Sequence, residues 1–242
     1  MRQSPLLSFL SNNSSYSRRD LFAFLKDKQV KVNQVVVTDG SMPIIPNQDV
    51  VKVGRQIIKN HKKVYFKFNK PVGVVNSLND PKHRKDLKSY IKKCKEPVFP
   101  VGRLDMDSEG LLLFTNNGEL ANQIMHPKFE IEKKYVVVVK KDDEKNTLKF
   151  KSELLPRLEK GLFLDDGPIA FKSALFLKKD TVEVVLTEGR NRIIRRVFQH
   201  FGYEVVSLKR IEIGSVKLNQ LKAGQMTELS LHELKSLQSL MT

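Results

Sequence analysis

The chain has 242 residues, 40% of them hydrophobic, which is enough to build one large domain or two smaller ones around a proper core. Its 43 Lys+Arg outnumber 27 Asp+Glu, for a formal net charge of +16, and a field of that sign draws polyanions, nucleic acid first among them. No window approaches the roughly 18 consecutive apolar residues of a membrane-spanning helix. The single cysteine, Cys94, excludes an internal disulfide, and the N-terminal apolar run is too short for a signal peptide, so a reducing cytoplasm is the expected location.

In chain order, residues 1–14 are rich in Ser and Asn and are expected to be loose. A small unit over 15–58 follows. Ser17-Arg18-Arg19-Asp20 reads as a capping box, and Leu21, Phe24 and Leu25 continue at helical spacing. Val30-Lys31-Val32 and Val35 to Val37 flank Asn33-Gln34, a hairpin pattern with a weaker turn than Asn-Gly. Pro43 and Pro46 mark a loop before a last strand at Val50–Val53. A unit this size buries little core alone. Residues 1–60 carry nine basic and four acidic residues, about +5, which suits an appended binding module.

After the polar linker 59–63, strand patterns dominate a larger domain, set at 62–235. They fall at Val64–Phe68, Val72–Val75, Leu111–Thr115, Tyr135–Val139, Ala174–Leu177 and Val182–Leu186. Helical patterns are fewer, near 84–94, 119–125, 145–160 and 191–201. The class is therefore α+β with a mostly antiparallel mixed sheet. The run Lys140 to Lys145 reads as a solvated turn and helix start.

Three segments carry chemistry. Gly102-Arg103-Leu104-Asp105-Met106-Asp107-Ser108-Glu109-Gly110 runs into apolar Leu111–Phe114, setting a basic residue two positions before a carboxylate on a loop that feeds a buried strand. Asp105, Asp107 and Glu109 mimic the first positions of a calcium loop, but Asn116 stands where its bidentate Glu belongs. The five histidines show no paired metal spacing, so no metal site is expected; phosphate-cradling and dinucleotide glycine motifs are absent as well. In Glu188 to Gln199, four arginines, Arg190, Arg192, Arg195 and Arg196, fall within seven residues. At about 100° per residue Val197, Phe198 and Phe201 gather behind Ile194, leaving a basic face. That face has no acidic i,i+4 partners, and Arg favours bidentate binding of phosphate or carboxylate. Tyr135 opens a Val-rich strand and reads equally as a strand aromatic or as a stacking platform for a base. Cys94 lies in a Lys-rich run that lowers a thiol pKa, with no base near it in sequence.

Taken together, Phe99 to Asp105 with Ser108 to Gly118, preceded by Asn69-Lys70-Pro71-Val72-Gly73 and followed by Met125-His126-Pro127, Glu132-Lys133-Lys134-Tyr135, Glu188-Gly189-Arg190-Asn191-Arg192 and Leu208-Lys209-Arg210-Ile211-Glu212-Ile213-Gly214, resemble the ribosomal pseudouridine synthases that carry an S4 domain. Within that family they look most like the type B enzymes that act on large-subunit RNA. Arg18-Arg19 with Val30 to Asn33 resembles the S4 RNA-binding module. The likeness spans roughly residues 15–225.

The resemblance implies an S4-like module ahead of a catalytic domain that breaks the uridine N1–C1′ bond, rotates the uracil and rejoins C5 to C1′ without a cofactor. It implies that Asp105 is the catalytic carboxylate, attacking C1′ or serving a glycal route. Tyr135 would stack on the flipped uracil, as a candidate for proton removal, and Arg195 would pair with the aspartate. Leu208 would wall the base pocket and Arg103 would fill the gap left by the base. Arg190, Arg192, Lys70, Arg18 and Arg19 are expected to contact the RNA. Ile193 and Val197 stand where the family usually has Gln and Met. The implied partner is ribosomal RNA, with that of the large subunit favoured, or a pre-ribosomal particle, without membrane attachment, acted on by a monomer. The alternatives are a non-catalytic S4-type assembly factor and a metal-dependent nuclease acting through Asp105, Asp107 and Glu109.

Overall fold

The computed structural model describes residues 3–141 and 150–241. The first unit comprises β1 (Ser4–Pro5), α1 (Leu6–Asn13), α2 (Arg18–Lys26), β2 (Val30–Val32), β3 (Val35–Val36), β4 (Pro43–Ile44), β5 (Val51–Val53) and β6 (Gln56–Ile58). Ser17 and Asp20 form the expected capping box at α2. Asn33 and Gln34 both take positive φ, 48° and 70°, the two-residue geometry whose twist matches a hairpin, and Lys31 pairs with Val36 across it. The expectation of a loose N-terminus fails over Leu6–Asn13. Leu6, Leu7, Phe9 and Leu10 are buried with Leu21, Leu25, Val30, Val51 and Ile58, so α1 supplies core that residues 15–58 alone lack.

The two units are stitched at the linker. Asn13 Oδ1 accepts from His61 N–H at 2.7 Å, and Asn12 Oδ1 accepts from Gly118 N–H at 3.0 Å. Asn116, fully buried, accepts from Val64 N–H at 3.0 Å and donates to the Lys62 carbonyl at 2.8 Å.

The second unit runs β7 (Tyr65–Lys70), α3 (Lys88–Ile91), β8 (Phe99–Val101), β9 (Glu109–Thr115), α4 (Gly118–Met125), β10 (Lys133–Lys141), α5 (Leu155–Lys160), β11 (Leu162–Leu164), β12 (Gly167–Ile169), β13 (Ser173–Lys178), β14 (Thr181–Leu186), α6 (Ile193–His200), β15 (Tyr203–Ile213), β16 (Val216–Lys217), β17 (Met226–Glu228) and α7 (Leu231–Gln238). Its main sheet has the order β13-β14-β10-β15-β9-β7-β17, with β8 on β9 and β16 on β15. The one parallel pairing among the described strands is β9 with β15. Alternate residues of β9 enter opposite cores. Leu112 and Phe114 join Phe68, Val137, Val184 and Phe198, whereas Leu111 and Leu113 join Ile124, Ile131, Ile213 and Leu237. A strand covered on both faces reads as an unbroken apolar run, which is why Leu111–Phe114 shows no alternation.

The class is as expected, α+β with a mostly antiparallel sheet. Several element assignments differ. Val72–Val75 is not a strand, because Gly73 turns at φ 82° and only Val75 bridges, to Asp86. The helix expected over 84–94 shrinks to Lys88–Ile91. Of the helix expected over 145–160, residues 145–149 lie outside the described residues, as does 142–145 of the charge run; an ordinary helix spans Leu155–Lys160. The longest strand, β15, has no counterpart among the expected strands. Its register shifts between Val138 and Val139 of β10 leave Val206 exposed, which breaks the period-2 pattern. Among the described residues no helix is long and apolar enough to cross a membrane.

Candidate active site

The segment from Gly102 to Ser108 is a loop between β8 and β9 whose backbone is fixed from four directions. Lys70, with no solvent exposure, donates its ammonium protons to the carbonyls of Asp105 (2.9 Å), Ser108 (2.8 Å) and Pro71 (3.2 Å). Asn76 Oδ1 accepts from Leu104 N–H at 3.1 Å, and Gly73 N–H donates to the Met106 carbonyl at 2.7 Å. Arg210 Nη1 donates to the Arg103 carbonyl at 3.3 Å. Ser108 N–H closes the turn on the Asp105 carbonyl at 3.1 Å. The loop main chain is thereby tied down on both sides of residue 105, while the Asp105 side chain is left outward, about one-third exposed, with the Arg192 guanidinium 3.7 Å from its Oδ2.

Asp105 and Asp107 have been sorted by their neighbours. Asp107 receives two hydrogen bonds from Arg192, at 3.0 and 3.2 Å, and lies 3.3 Å from Arg195 Nε. Burial pulls its carboxyl up, but the Arg192 hydrogen bond and the charges of Arg195 and Arg192 outweigh that, leaving it below the ordinary carboxylate range. Asp105 makes no side-chain hydrogen bond among the described residues and keeps only the cation at 3.7 Å. A carboxylate nucleophile needs this combination of charge, proximity to a cation and free lone pairs.

The expected pairing of Arg195 with Asp105 is not formed. Arg195 donates to the carbonyls of Asp107 (2.9 Å) and Val205 (2.6 Å), tying the loop to β15, and the cation nearest Asp105 is Arg192. Lys70 and Arg190 are corrected more strongly. Lys70 is enclosed beneath the loop and spends its protons on carbonyls, so it cannot reach an RNA. Arg190 donates to Glu188, Asp166 and the carbonyls of Gly167 and Pro168, clamping the β11–β12 turn. Arg196 likewise pairs with Asp166. The acidic partners that the helix lacks at i,i+4 are supplied by other parts of the fold, so most of the basic face is internally neutralised.

Tyr135 and Leu208 are brought together. Both are buried on the same face of the β10–β15 ladder, where Tyr135 is opposite Arg210 and Val137 opposite Leu208. The Tyr135 hydroxyl accepts from Arg210 Nη1 at 3.4 Å. A guanidinium cannot accept, so the hydroxyl's own proton points elsewhere. Arg103 is exposed, and its guanidinium has no partner among the described residues. Arg18 and Arg19 are exposed on α2, in the other unit.

Arg210 is the residue that sequence reasoning left without a role. It is 5% exposed, binds the carbonyls of Leu111 and Arg103 and the Tyr135 hydroxyl, leaves Nη2 unpartnered, and has no carboxylate in ion-pair range among the described residues. A charged residue at an inward-facing strand position was its only signal. Cys94 departs from expectation too: burial and Glu228 push its thiol up rather than the lysines pushing it down. It lines a cavity of about 810 Å³ beside Tyr90 and Met226, a cavity to which Asp105, Tyr135 and Arg195 do not contribute.

Lys70 gives the site a pH dependence. Burial pushes its ammonium down to about 8, against the pull of Asp105 and Asp107. Below that pH three N–H donors match three carbonyls; above it one donor is gone. The kcat of a reaction centred on this loop is therefore expected to fall as pH rises through about 8. Lys133 is also pushed down to about 8, by burial and then by Arg210. The check is a kcat–pH profile of Lys133→Met, in which the decline persists if Lys70 causes it.

Residues 64–200 match the profile of the RNA pseudouridylate synthase family. The chain is 40% identical over 230 residues to the ribosomal large subunit pseudouridine synthase B of Bacillus subtilis (strain 168), covering 93% of this chain and 91% of that one. It is 37% identical over 242 residues to an uncharacterized RNA pseudouridine synthase of Aquifex aeolicus, covering 98% and 94%. A crystal structure of a pseudouridylate synthase superposes with a TM-score of 0.68 at 26% identity, covering 98% of this chain and all of that one.

Proposed function

The chain belongs to the RNA pseudouridylate synthase family, and from that premise we propose that it isomerises a specific uridine of large-subunit ribosomal RNA to pseudouridine, with Asp105 as the catalytic carboxylate. The observation that carries the assignment is the contrast within one loop. Asp107 is consumed by two guanidiniums, whereas the Asp105 carboxylate makes no hydrogen bond among the described residues and has a cation 3.7 Å away. The reaction is an internal rearrangement of one nucleotide, so it calls for positioning and charge rather than a group donor.

In this reading the target uridine leaves its stack, at a cost of a few kcal/mol. Stacking on Tyr135, worth about 1–3 kcal/mol, and insertion of the unpaired Arg103 guanidinium into the vacated space offset it. Leu208 walls the pocket on the same sheet face. Arg192 balances the Asp105 charge, and Arg195 acts as a positioning residue through the Asp107 carbonyl. Residues 15–58, joined by α1, form an S4-like module that grips RNA phosphates, and the catalytic domain spans 62–235. A ribosomal RNA substrate implies work in the cytoplasm.

The test uses the purified chain with an in vitro transcript of large-subunit rRNA in EDTA, reading pseudouridine formation. Product is expected. Binding without product would identify an assembly factor instead, and activity lost to the chelator would favour the metal-dependent nuclease chemistry. The module has its own check. Arg18→Ala with Arg19→Ala removes two exposed cations, so RNA affinity should fall and the salt dependence, log Kd against log salt, should flatten by about two phosphate contacts' worth. An unchanged slope would remove the module from the RNA interface.

A further inference from the structure

Between β7 and α3 the chain makes a hairpin-like excursion, Asn79–Lys85, in which Pro81, Lys82, His83, Arg84 and Lys85 are all exposed. An exposed basic loop is ordinary in a chain of +16; one held from inside by a buried acid is not. Asp80 is 7% exposed and accepts from Arg84 at three atoms: backbone N–H at 3.0 Å, Nε at 3.0 Å and Nη2 at 2.7 Å. Its own carbonyl accepts from His83 N–H at 3.1 Å, and His83 takes a left-handed φ of 52°. The Arg84 hydrogen bonds hold the Asp80 carboxyl down at about 2, so the clasp is closed at any physiological pH. Arg84, about half exposed, is thus fixed from behind with its remaining N–H groups facing water, and Lys82 and His83 have no side-chain partner among the described residues.

The excursion is mounted directly on the catalytic loop. Val75 N–H donates to the Lys85 carbonyl at 2.8 Å, and the next residue, Asn76, holds Leu104 N–H at 3.1 Å, one position before Asp105. Leu87 and Val74, both fully buried, root the two ends in the main core. Cations on a pre-ordered support bind phosphate with less ordering cost than lysines on a free loop. Phosphate contacts from a rigid element set the register of a nucleic acid rather than its sequence preference.

We propose that Asn79–Lys85 is a phosphate-binding finger that grips the RNA backbone flanking the target nucleotide and so sets which nucleotide reaches Asp105. The inference rests on the RNA-modifying reading above. Asp80 is its positioning residue, and the contacts come from Lys82, Arg84 and Lys85.

Charge separates this from general attraction. Asp80→Ala raises the net charge by one, so a non-specific field would bind RNA more tightly. The finger requires the opposite: KM and Kd for the large-subunit rRNA transcript rise several-fold. Lys82→Ala with Lys85→Ala should raise KM and flatten the salt slope by about two phosphate contacts' worth. Lys178→Ala with Lys179→Ala, an equal charge loss at the exposed β13–β14 turn, should leave both near the unaltered values. The inference is overturned if Asp80→Ala binds as well as or better than the unaltered chain. It is equally overturned if the two lysine pairs behave alike, a comparison that stands even where Asp80→Ala fails to fold. If the unaltered chain neither binds nor modifies the transcript, the RNA reading itself fails and the finger with it.

Discussion

Asp105→Asn is expected to abolish pseudouridine formation while leaving the fold and RNA affinity in place. The substitution keeps the side chain's size and removes its charge. Every hydrogen bond that positions residue 105 in the loop is made by main chain: its carbonyl accepts from Lys70 Nζ and from Ser108 N–H. The loop therefore keeps its shape. Among the described residues the side chain's one polar contact is the Arg192 cation at 3.7 Å, at a part-exposed site where an ion pair contributes little to stability. Melting temperature should change by no more than about 2–4 °C, the scale of 1 kcal/mol in a chain of this size. Turnover should fall by more than about 10³-fold, as when a covalent catalyst loses its nucleophile. Asp107→Asn would act differently, because it releases Arg192 and Arg195 and so disturbs the loop itself.

Gly110→Ala is expected to have the largest effect on stability. Gly110 has φ 106° and lies where the sheet's parallel pairing brings it against Arg210. A Cβ there would sit 2.2 Å from the Arg210 carbonyl oxygen and 2.8 Å from its nitrogen. Both are backbone atoms, so no side chain can rotate away. Left-handed strain costs about 1–3 kcal/mol, and forcing an atom into a filled space about 1–3 more. A loss of about 3 kcal/mol would lower the melting temperature by about 6–12 °C. Function should suffer beyond that, because pushing β9 from β15 shifts Arg210 away from the Arg103 carbonyl and the Tyr135 hydroxyl. A Gly110→Ala protein with native melting and turnover would mean that these strands do not approach so closely.

What the sequence made legible was local. The Ser17–Asp20 capping box, the Asn33–Gln34 hairpin and the helix near 119–125 depend on interactions within a few residues, and the apolar strand after the acidic loop announces itself by an unbroken apolar run; each forms. What stayed hidden was set by distant partners. The arginines around α6 read as a free basic face, because Asp107 and Asp166, which neutralise them, are about 20 to 90 positions away in sequence yet adjacent in space. Lys70 was expected to contact RNA, because the Asp105 and Ser108 carbonyls that accept its protons belong to a loop 35 or more residues on. Strand β15 was missed because its bulge interrupts the alternation and because Arg210 puts a charge on an inward position. Helix α1 looked loose because Ser and Asn in 8–14 mask the four apolar residues that it packs into the module.

The site residues divide the same way. Asp105 and Arg103 present their side chains from the loop, and Tyr135 and Leu208 lie buried on the strand pair β10–β15. Arg195 and Lys70, expected to touch the aspartate or the RNA, hold the main chain that presents it. Both groups lie in the segments that carry the family resemblance, and only geometry separates the carboxylate proposed to react from the residues that hold its main chain in position.

The decisive measurement is a map of pseudouridines in ribosomal RNA from cells lacking this chain, restored with either the unaltered chain or Asp105→Asn at matched abundance. A position in large-subunit rRNA should lose its pseudouridine on deletion, regain it with the unaltered chain and remain uridine with the variant. Full modification restored by Asp105→Asn, or a map that deletion leaves untouched, would contradict the placement of the chemistry at this carboxylate.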